Sequence, residues 1–355
     1  MISFLINKLL YAFAVILGVA GLVFLLFYVV PGDPARMMLD EKAGEDQLEI
    51  IRKKYGLDKP VSTQFVYYLN DLSFVSWHSN STENYTHNAL KHSHAAFANT
   101  ENGIWVFKWP FLRESFHKKG KAVSSIIGET LPNTMILAIT AITISIVIGI
   151  TIGIFSALYK DTWFDKFWTV FGTFGMSLPS FFTAIIIAWL FGYVLSSYTG
   201  LSMTGSLYTI DDLGRGRYLD IKNLILPAVT LGIRPLGVVI QLMRNSLLET
   251  MSQDYIRTAK AKGLSTKTIV LKHALRNSLN PVVTTISGWF ASMLAGAVFV
   301  EFIFGWNGLG KQIVDALNFQ DLPVVMGAVL VIAMLFVVIN IFVDLIYVWL
   351  DPKMR

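Results

Sequence analysis

Stretches free of Asp, Glu, Lys and Arg recur along the chain, and those that reach about 20 apolar residues are long enough to cross a bilayer core as helices. Residues 9–30 form the first, ended by Pro31, Gly32 and Asp33. The second covers 130–159, between Glu129 and Lys160. Residues 167–210 are also charge-free but too long for one straight helix, and Ser177-Leu178-Pro179 in their middle predicts a kink or a separate short helix. The fourth stretch, 224–243, holds Arg234; the fifth is 281–300 and the sixth 322–343. Six crossings are therefore expected. Gly149 with Gly153, and Gly288, Ser292 and Gly296, recur at four-residue spacing and predict close helix contacts. A signal peptide is a poor reading of the first stretch, which exceeds a usual signal core and lacks a small-residue cleavage pattern.

Composition agrees with a membrane chain. Of 355 residues 54% are hydrophobic and 15% charged, where a soluble domain has about a quarter charged. There is no cysteine, which excludes disulfides, thiolate metal sites and cysteine nucleophiles. None of the six histidines falls in an apolar stretch, so a bundle of haem-ligating helices is excluded too. Charge placement sets the orientation, because short loops rich in Lys and Arg stay in the cytoplasm. Loop 244–276 carries seven basic residues (Arg244, Arg257, Lys260, Lys262, Lys267, Lys272, Arg276) against Glu249 and Asp254, a net of +5. With that loop inside, both termini are cytoplasmic and residues 31–122 form an extracytoplasmic insert. Within the insert 46–55 has helical spacing, 55–60 is a break, and 63–72 is a second helix. No nucleic-acid partner is implied.

The segment Asp254, Tyr255, Ile256, Arg257, Thr258, Ala259, Lys260, Ala261, Lys262, Gly263, Leu264, Ser265 reads as a basic, alanine-rich helix closed by a glycine. A second amphipathic helix is expected over 266–278. Between two spans, such a hairpin either anchors the topology as a solvated loop or docks into a partner's groove.

Here the chain resembles a known family. The general coupling-loop pattern of ABC-importer permeases is Glu-Ala-Ala, three residues, Gly, nine residues, Ile-x-Leu-Pro. With Gly263 on the glycine, Ala259 and Leu275 match, while Arg257, Thr258, His273 and Arg276 depart from it. The wording from Tyr255 to Ser265, followed by His273-Ala274-Leu275-Arg276-Asn277, is more similar to the peptide/nickel branch, and in particular to its first permease subunit. Val30-Pro31-Gly32-Asp33-Pro34, Tyr55-Gly56-Leu57-Asp58, Leu131-Pro132-Asn133-Thr134, Leu226-Pro227-Ala228, Val343-Asp344-Leu345-Ile346-Tyr347 and Asp351-Pro352 carry the resemblance along nearly the whole chain. Three features depart from it: Asn307 stands where a proline is usual, Arg234 lies within a span, and the outer segment 74–120 is long and rich in Trp, His and Asn.

The resemblance implies an all-α polytopic membrane protein with six transmembrane helices and the type I ABC importer permease fold. Its parts would be a first helix at 1–30, the insert at 31–122, a permease core at 123–348 with coupling loop 244–278, and a cytoplasmic tail at 349–355. It implies a subunit of a bacterial inner-membrane importer, paired with a second homologous permease, two ABC ATPases and an extracytoplasmic substrate-binding protein. ATP and Mg would belong to the ATPases, and this chain would bind no cofactor and catalyse nothing. Its coupling residues would be Asp254, Tyr255, Arg257, Thr258, Ala259, Lys260, Ala261, Lys262, Gly263 and Leu264, with Ala259 in close contact and Gly263 reversing the chain. Di- and oligopeptides are the expected cargo, nickel or a metal chelate the alternative.

Remaining candidates are few. Arg234 near a bilayer midplane costs about 2.5–3.5 kcal/mol on insertion scales, so it should face protein or water. Either it lines the pathway and meets a substrate carboxylate, or it pairs with Glu301 or Asp344, or the fourth span is shorter and leaves it near the outer surface. Asp344, with Asn340 one turn earlier, is a candidate for an inner gate or an interhelical hydrogen bond. Gly305 to Lys311 reads G-x-x-x-x-G-K, yet Gln312 cannot replace the Mg²⁺-binding hydroxyl of a phosphate loop. His87, His92 and His94 lack the spacing of a defined metal site. A membrane enzyme would need a reactive constellation within the spans, and a channel or secondary carrier would need charges along a path or inverted repeats. One arginine and no clear repeat argue against both.

Overall fold

The computed structural model describes residues 2–29, 33–39, 44–82, 84–89, 95–118, 120–210 and 216–350. Val30, Pro31, Gly32, His92, His94, Asp351 and Pro352, singled out above, lie outside the described residues. In chain order, α1 (Ile2–Val29) is followed by α2 (Pro34–Met37), α3 (Glu45–Tyr55), α4 (Val61–Leu72), β1 (Val75–Ser79), α5 (Tyr85–Ala89), β2 (Ala95–Thr100) and β3 (Gly103–Phe107). Then come α6 (Val123–Leu158), α7 (Trp163–Ser177), α8 (Ser180–Trp189), a π-helical turn at Leu190–Val194, α9 (Ser196–Thr199), β4 (Tyr208–Ile210) and β5 (Arg217–Leu219). The rest is α10 (Lys222–Met251), α11 (Asp254–Ala261), α12 (Thr266–Thr268), a π-helical turn at Ile269–Ala274, α13 (Leu275–Phe304), α14 (Leu309–Asn318) and α15 (Leu322–Leu350).

Among the described residues four helices are long and apolar enough to cross a membrane: α1, α6, α10 and α15. Two bent pairs bring the number to six if each is one span. The first joins α7 to α8 and the turn after it, at an angle of 113°. Pro179 is the cause, since the residue before a proline is pushed out of the helical region, and Leu178 is extended at φ −78°, ψ 137°. The second is the α12–α13 stretch, bent by 53° between Phe290 and Ser292.

Two compact units divide the chain. The first takes in Met1–Thr130 and Gln312–Met334. Its apolar core gathers Ala20, Val23 and Phe24 of α1, Tyr68 of α4, Phe116, and Leu322, Met326 and Leu330 of α15. The insert helices expected at 46–55 and 63–72 are α3 and α4, and Gly56 closes α3 in the left-handed region at φ 68°. To these the structure adds an antiparallel sheet of order β1-β3-β2, with Val75 opposite Phe107 and Trp77 opposite Trp105, and a β4–β5 ribbon stands in the second unit. The helical bundle is thus not purely α. Asp71 ties the insert together: its carboxylate accepts from Tyr85 Oη at 2.7 Å and Arg113 Nε at 3.0 Å, and its carbonyl accepts from Lys108 Nζ at 2.8 Å.

The second unit takes in Leu131–Lys311 and Leu335–Arg355. One of its cores joins Leu137 and Ala141 of α6, Ala184 of α8, Leu231 of α10 and Ala297 of α13. The other joins Val239, Met243 and Leu247 of α10 to Ile256, Ala259, Ile269, Val270 and Val282. Close helix contact at Gly149 and Gly153 is realised against α10, where added Cβ atoms would fall 2.7 Å from Val239 and 2.6 Å from Met243. Gly288 has nothing within 4 Å of such an atom.

Candidate functional site

The loop between α10 and α13 is folded rather than solvated. Asp254 opens α11, and every third or fourth residue of that helix turns inward, so Ile256 and Ala259 are buried against the ends of the spans. Gly263, at φ 78°, reverses the chain in a conformation that costs other L-residues about 1–2 kcal/mol. Ser265 then caps α12 by accepting from the Thr268 amide. The expected helix over 266–278 is three residues of α12 and a π-helical turn that runs straight into α13. That turn buries Ile269, Val270 and Ala274 and leaves Leu271, Lys272 and His273 outside. Two polar contacts lock the hairpin: the hydroxyls of Thr250 and Ser278 lie 3.0 Å apart, and Asn277 Nδ2 donates to Tyr255 Oη at 2.9 Å.

The ten coupling candidates therefore divide by side. Ala259 faces the chain's own core, whereas Asp254, Tyr255, Arg257, Thr258, Lys260, Ala261, Lys262, Gly263 and Leu264 are exposed. Arg244, counted above as a loop charge, is held by a residue that sequence reasoning passed over. Its Nε and Nη2 donate to the two carboxylate oxygens of Asp165 on α7, at 2.5 and 2.7 Å. An Asp in an aromatic-rich amphipathic helix was the available signal.

At the other end of α13, a second junction joins two motifs noted separately in the sequence. Glu301 is fully buried, and its Oε2 accepts from the amides of Gly310 at 2.7 Å and Lys311 at 3.2 Å. Thr134 accepts from the Leu309 amide at 2.8 Å, Trp306 Nε1 donates to the Asn133 carbonyl at 3.1 Å, and Asn133 Nδ2 donates to the Asn307 carbonyl at 2.7 Å. The open amides at the start of α14 are thus met by side chains of α6 and α13. Those amides are the ones a phosphate would need, so the G-x-x-x-x-G-K segment is a capped helix start and not a nucleotide loop.

Arg234 makes neither sequence-expected ion pair with Glu301, whose carboxyl group faces α14, nor any other among the described residues. It is exposed, and its guanidinium lies 5.8 Å from the ring centroid of Trp289 on α13. Asn340 donates to the Phe336 carbonyl of its own helix at 2.8 Å. The side chain of Asp344 lies outside the described residues. His87 contacts the Ser79 carbonyl through Nδ1 at 3.0 Å.

Comparison with known proteins extends these findings to the whole chain. Residues 149–355 match the family described as the binding-protein-dependent transport system inner membrane component, and residues 1–105 match its N-terminal companion. The dipeptide transport system permease protein DppB of Alkalihalophilus pseudofirmus is 31% identical, with 100% of each chain covered. The di/tripeptide permease DppB of Pseudomonas aeruginosa is 31% identical over 100% of this chain and 99% of its own. The probable D,D-dipeptide permease DdpB of Escherichia coli is 32% identical over 96% and 93%. A chain of the inward-facing MetNI methionine ABC transporter superposes on 63% of this chain and 95% of its own, at 16% identity and a TM-score of 0.48. With a family model covering more than half its length and relatives matching it end to end, the chain belongs to the binding-protein-dependent transport inner membrane components, multi-pass proteins of the inner membrane.

Proposed function

We propose that this chain is one of two permeases in an ATP-driven importer of di- and oligopeptides, and that the α11–α12 hairpin is where a cytoplasmic ATPase seats. The observation that carries this reading is the two-sided hairpin. Its inner face is packed into the ends of α10 and α13, while Tyr255, Thr258, Lys262 and Leu264 face outward. A partner that drew such a hairpin aside would tilt both spans with it, which is the coupling that alternating access requires. Two ATPases hold ATP and Mg²⁺, the loop of net charge +5 lies inside with both termini, and a binding protein delivers cargo on the insert's side. A homologous permease packs where Gly288 is open. Peptides are favoured over nickel because the relatives named above are dipeptide and tripeptide permeases.

Arg234 lines the pathway in this reading and meets the carboxylate of a passing peptide, while Asn340 and Asp344 contribute to the inner gate. The test is purification of the tagged chain in mild detergent with its partners, followed by reconstitution into vesicles. A second permease and two ATPases should co-purify, and dipeptides, but not nickel, should stimulate ATP hydrolysis. Recovery of a folded chain that moves solute alone and without ATP would overturn the proposal. In the assembled complex, Arg234→Gln should slow uptake of peptides with a free C-terminus about tenfold relative to amidated ones, or about 1.4 kcal/mol. An unchanged ratio would remove Arg234 from the pathway.

A further inference from the structure

One face of the sheet of the insert is apolar and uncovered. Along β1 and β3 the residues turned inward are mixed: Ser76 and His78 on β1 and Val106 on β3 are buried, as is Lys108 just after β3. Those turned outward are aromatic or aliphatic: Trp105 is 39% exposed, Val75 44% and Phe107 56%, and Phe74 at 47% and Trp109 at 71% flank the two strands. Strand pairing concentrates them, since Val75 lies opposite Phe107 and Trp77 opposite Trp105, and Phe74 meets Trp109 edge-on at 6.0 Å. A sheet with one face in water alternates apolar inside and polar outside, and a large exposed apolar patch marks a contact surface.

Packing of the preceding helix says what the face contacts. Phe65 and Tyr68 of α4 lie against Phe24 of α1, with ring centroids 5.0 and 5.7 Å apart. Phe24 belongs to the apolar stretch Ile6–Leu26 that crosses the bilayer. Leu69 and Leu72 join the same core as Leu322, Met326 and Leu330, the opening turns of the apolar stretch Leu322–Val343. Helix α4 therefore lies at the depth where two spans enter the bilayer, and Phe74 follows its last residue by two positions, at most about 7 Å of chain. Tyr28, Arg52 and Lys59 line a cavity of about 490 Å³ beside the start of α4, the mixture of aromatic and basic side chains usual at headgroup level.

We propose that the outward aromatic face of the β1–β3 ribbon rests in the lipid headgroup region of the leaflet where α1 ends, and holds the insert down on the bilayer. Trp105 and Trp109 supply the flat, amphipathic rings that partition there.

The chain itself has no cysteine, so each single reporter is read as the difference from the parent complex carried through the same labelling. Spin labels at Phe107→Cys, Trp109→Cys and, in the exposed β2–β3 turn, Asn102→Cys are read in the full chain with its co-purifying subunits, in phosphatidylcholine vesicles. At 107 and 109 collisions with oxygen should exceed those with a water-soluble nickel chelate, and at 102 the order should reverse. Labels at 107 and 109 that behave like the one at 102 would overturn the proposal, and so would shielding from both reagents, which would mean that protein covers the face. A second reading uses the native rings: lipid brominated close to the headgroup should quench tryptophan fluorescence less in the Trp105→Phe/Trp109→Phe variant than in the parent. Equal fractional quenching would also overturn it.

Discussion

Glu301 and Gly308 show how narrowly single residues are set. The carboxyl group of Glu301 fills the space in which a Cβ on Gly308 would have to stand. Gly308→Ala should therefore displace the cap of α14 and cost on the order of 1–3 kcal/mol, as overpacking does. Glu301→Ala strands two buried amides and should cost on the order of 3 kcal/mol, whereas Glu301→Gln keeps an acceptor and should cost less. Thermal denaturation in detergent ranks the three, and a Gln variant as weak as Ala would mean that the cap is not what Glu301 provides. His78 sets a pH dependence in the insert. Burial holds its imidazole below the ordinary value, with Nδ1 against the Thr86 carbonyl at 2.7 Å and Nε2 against Ser76 Oγ at 2.8 Å. The Thr86 contact and Asp71 favour the charged ring, while Lys108 and His87 oppose it. An unfolded insert takes up the proton near pH 6.5 and the folded one resists it until lower pH, so stability falls as pH drops below about 6.5 and levels off below the folded value. Hydrogen exchange of β1, corrected for intrinsic rates, should show this loss between pH 7 and 5, and His78→Gln should flatten it.

At the scale of elements, the hairpin separates positions that hold its fold from positions that meet a partner. Lys262→Ala and Leu264→Ala remove exposed side chains and should leave insertion intact while lowering ATPase association. Ala259→Glu drives a charge into the core of Met243, Ile256 and Val270, and Gly263→Val strains the turn, so both should also loosen the loop itself. Protease resistance of the loop, read beside pull-down of the ATPases, distinguishes the two classes. Reduced binding in Ala259→Glu with an undisturbed loop would contradict the inward placement. The hairpin was legible in the sequence because its signals are local: an alanine-rich basic run and a glycine. Arg244 with Asp165, and Thr134 with Glu301, were not, because each pair joins helices far apart in sequence and no local pattern records such a meeting. The strands of the insert were hidden for a related reason. Their period-two alternation is present, but with Trp105 and Phe107 outside and Ser76 and His78 inside it does not look like a strand of a water-facing sheet.

Across the whole molecule, charge-free stretches located the spans, but they could not say how residues 167–210 are used, since length alone does not separate a broken crossing from a hairpin that returns. The angle of 113° between α7 and α8 makes this a question of parity. From the insert to the coupling hairpin the chain runs through α6, the α7–α8 pair and α10. If the pair crosses, there are three passages and the insert and hairpin are on opposite faces; if it turns back, there are two and they share a face. The expected placement, with the loop of net charge +5 inside and the insert outside, requires the first. Single cysteines in this cysteine-free chain can decide it with a membrane-impermeant maleimide. Asn102→Cys and Tyr198→Cys should label in intact cells, and Lys160→Cys and Lys262→Cys only after permeabilisation. Matching labelling of positions 160 and 198 would make the α7–α8 pair re-entrant. The hairpin would then lie on the same face as the insert, out of reach of any cytoplasmic ATPase if the insert is outside, and the proposed coupling would fail with it.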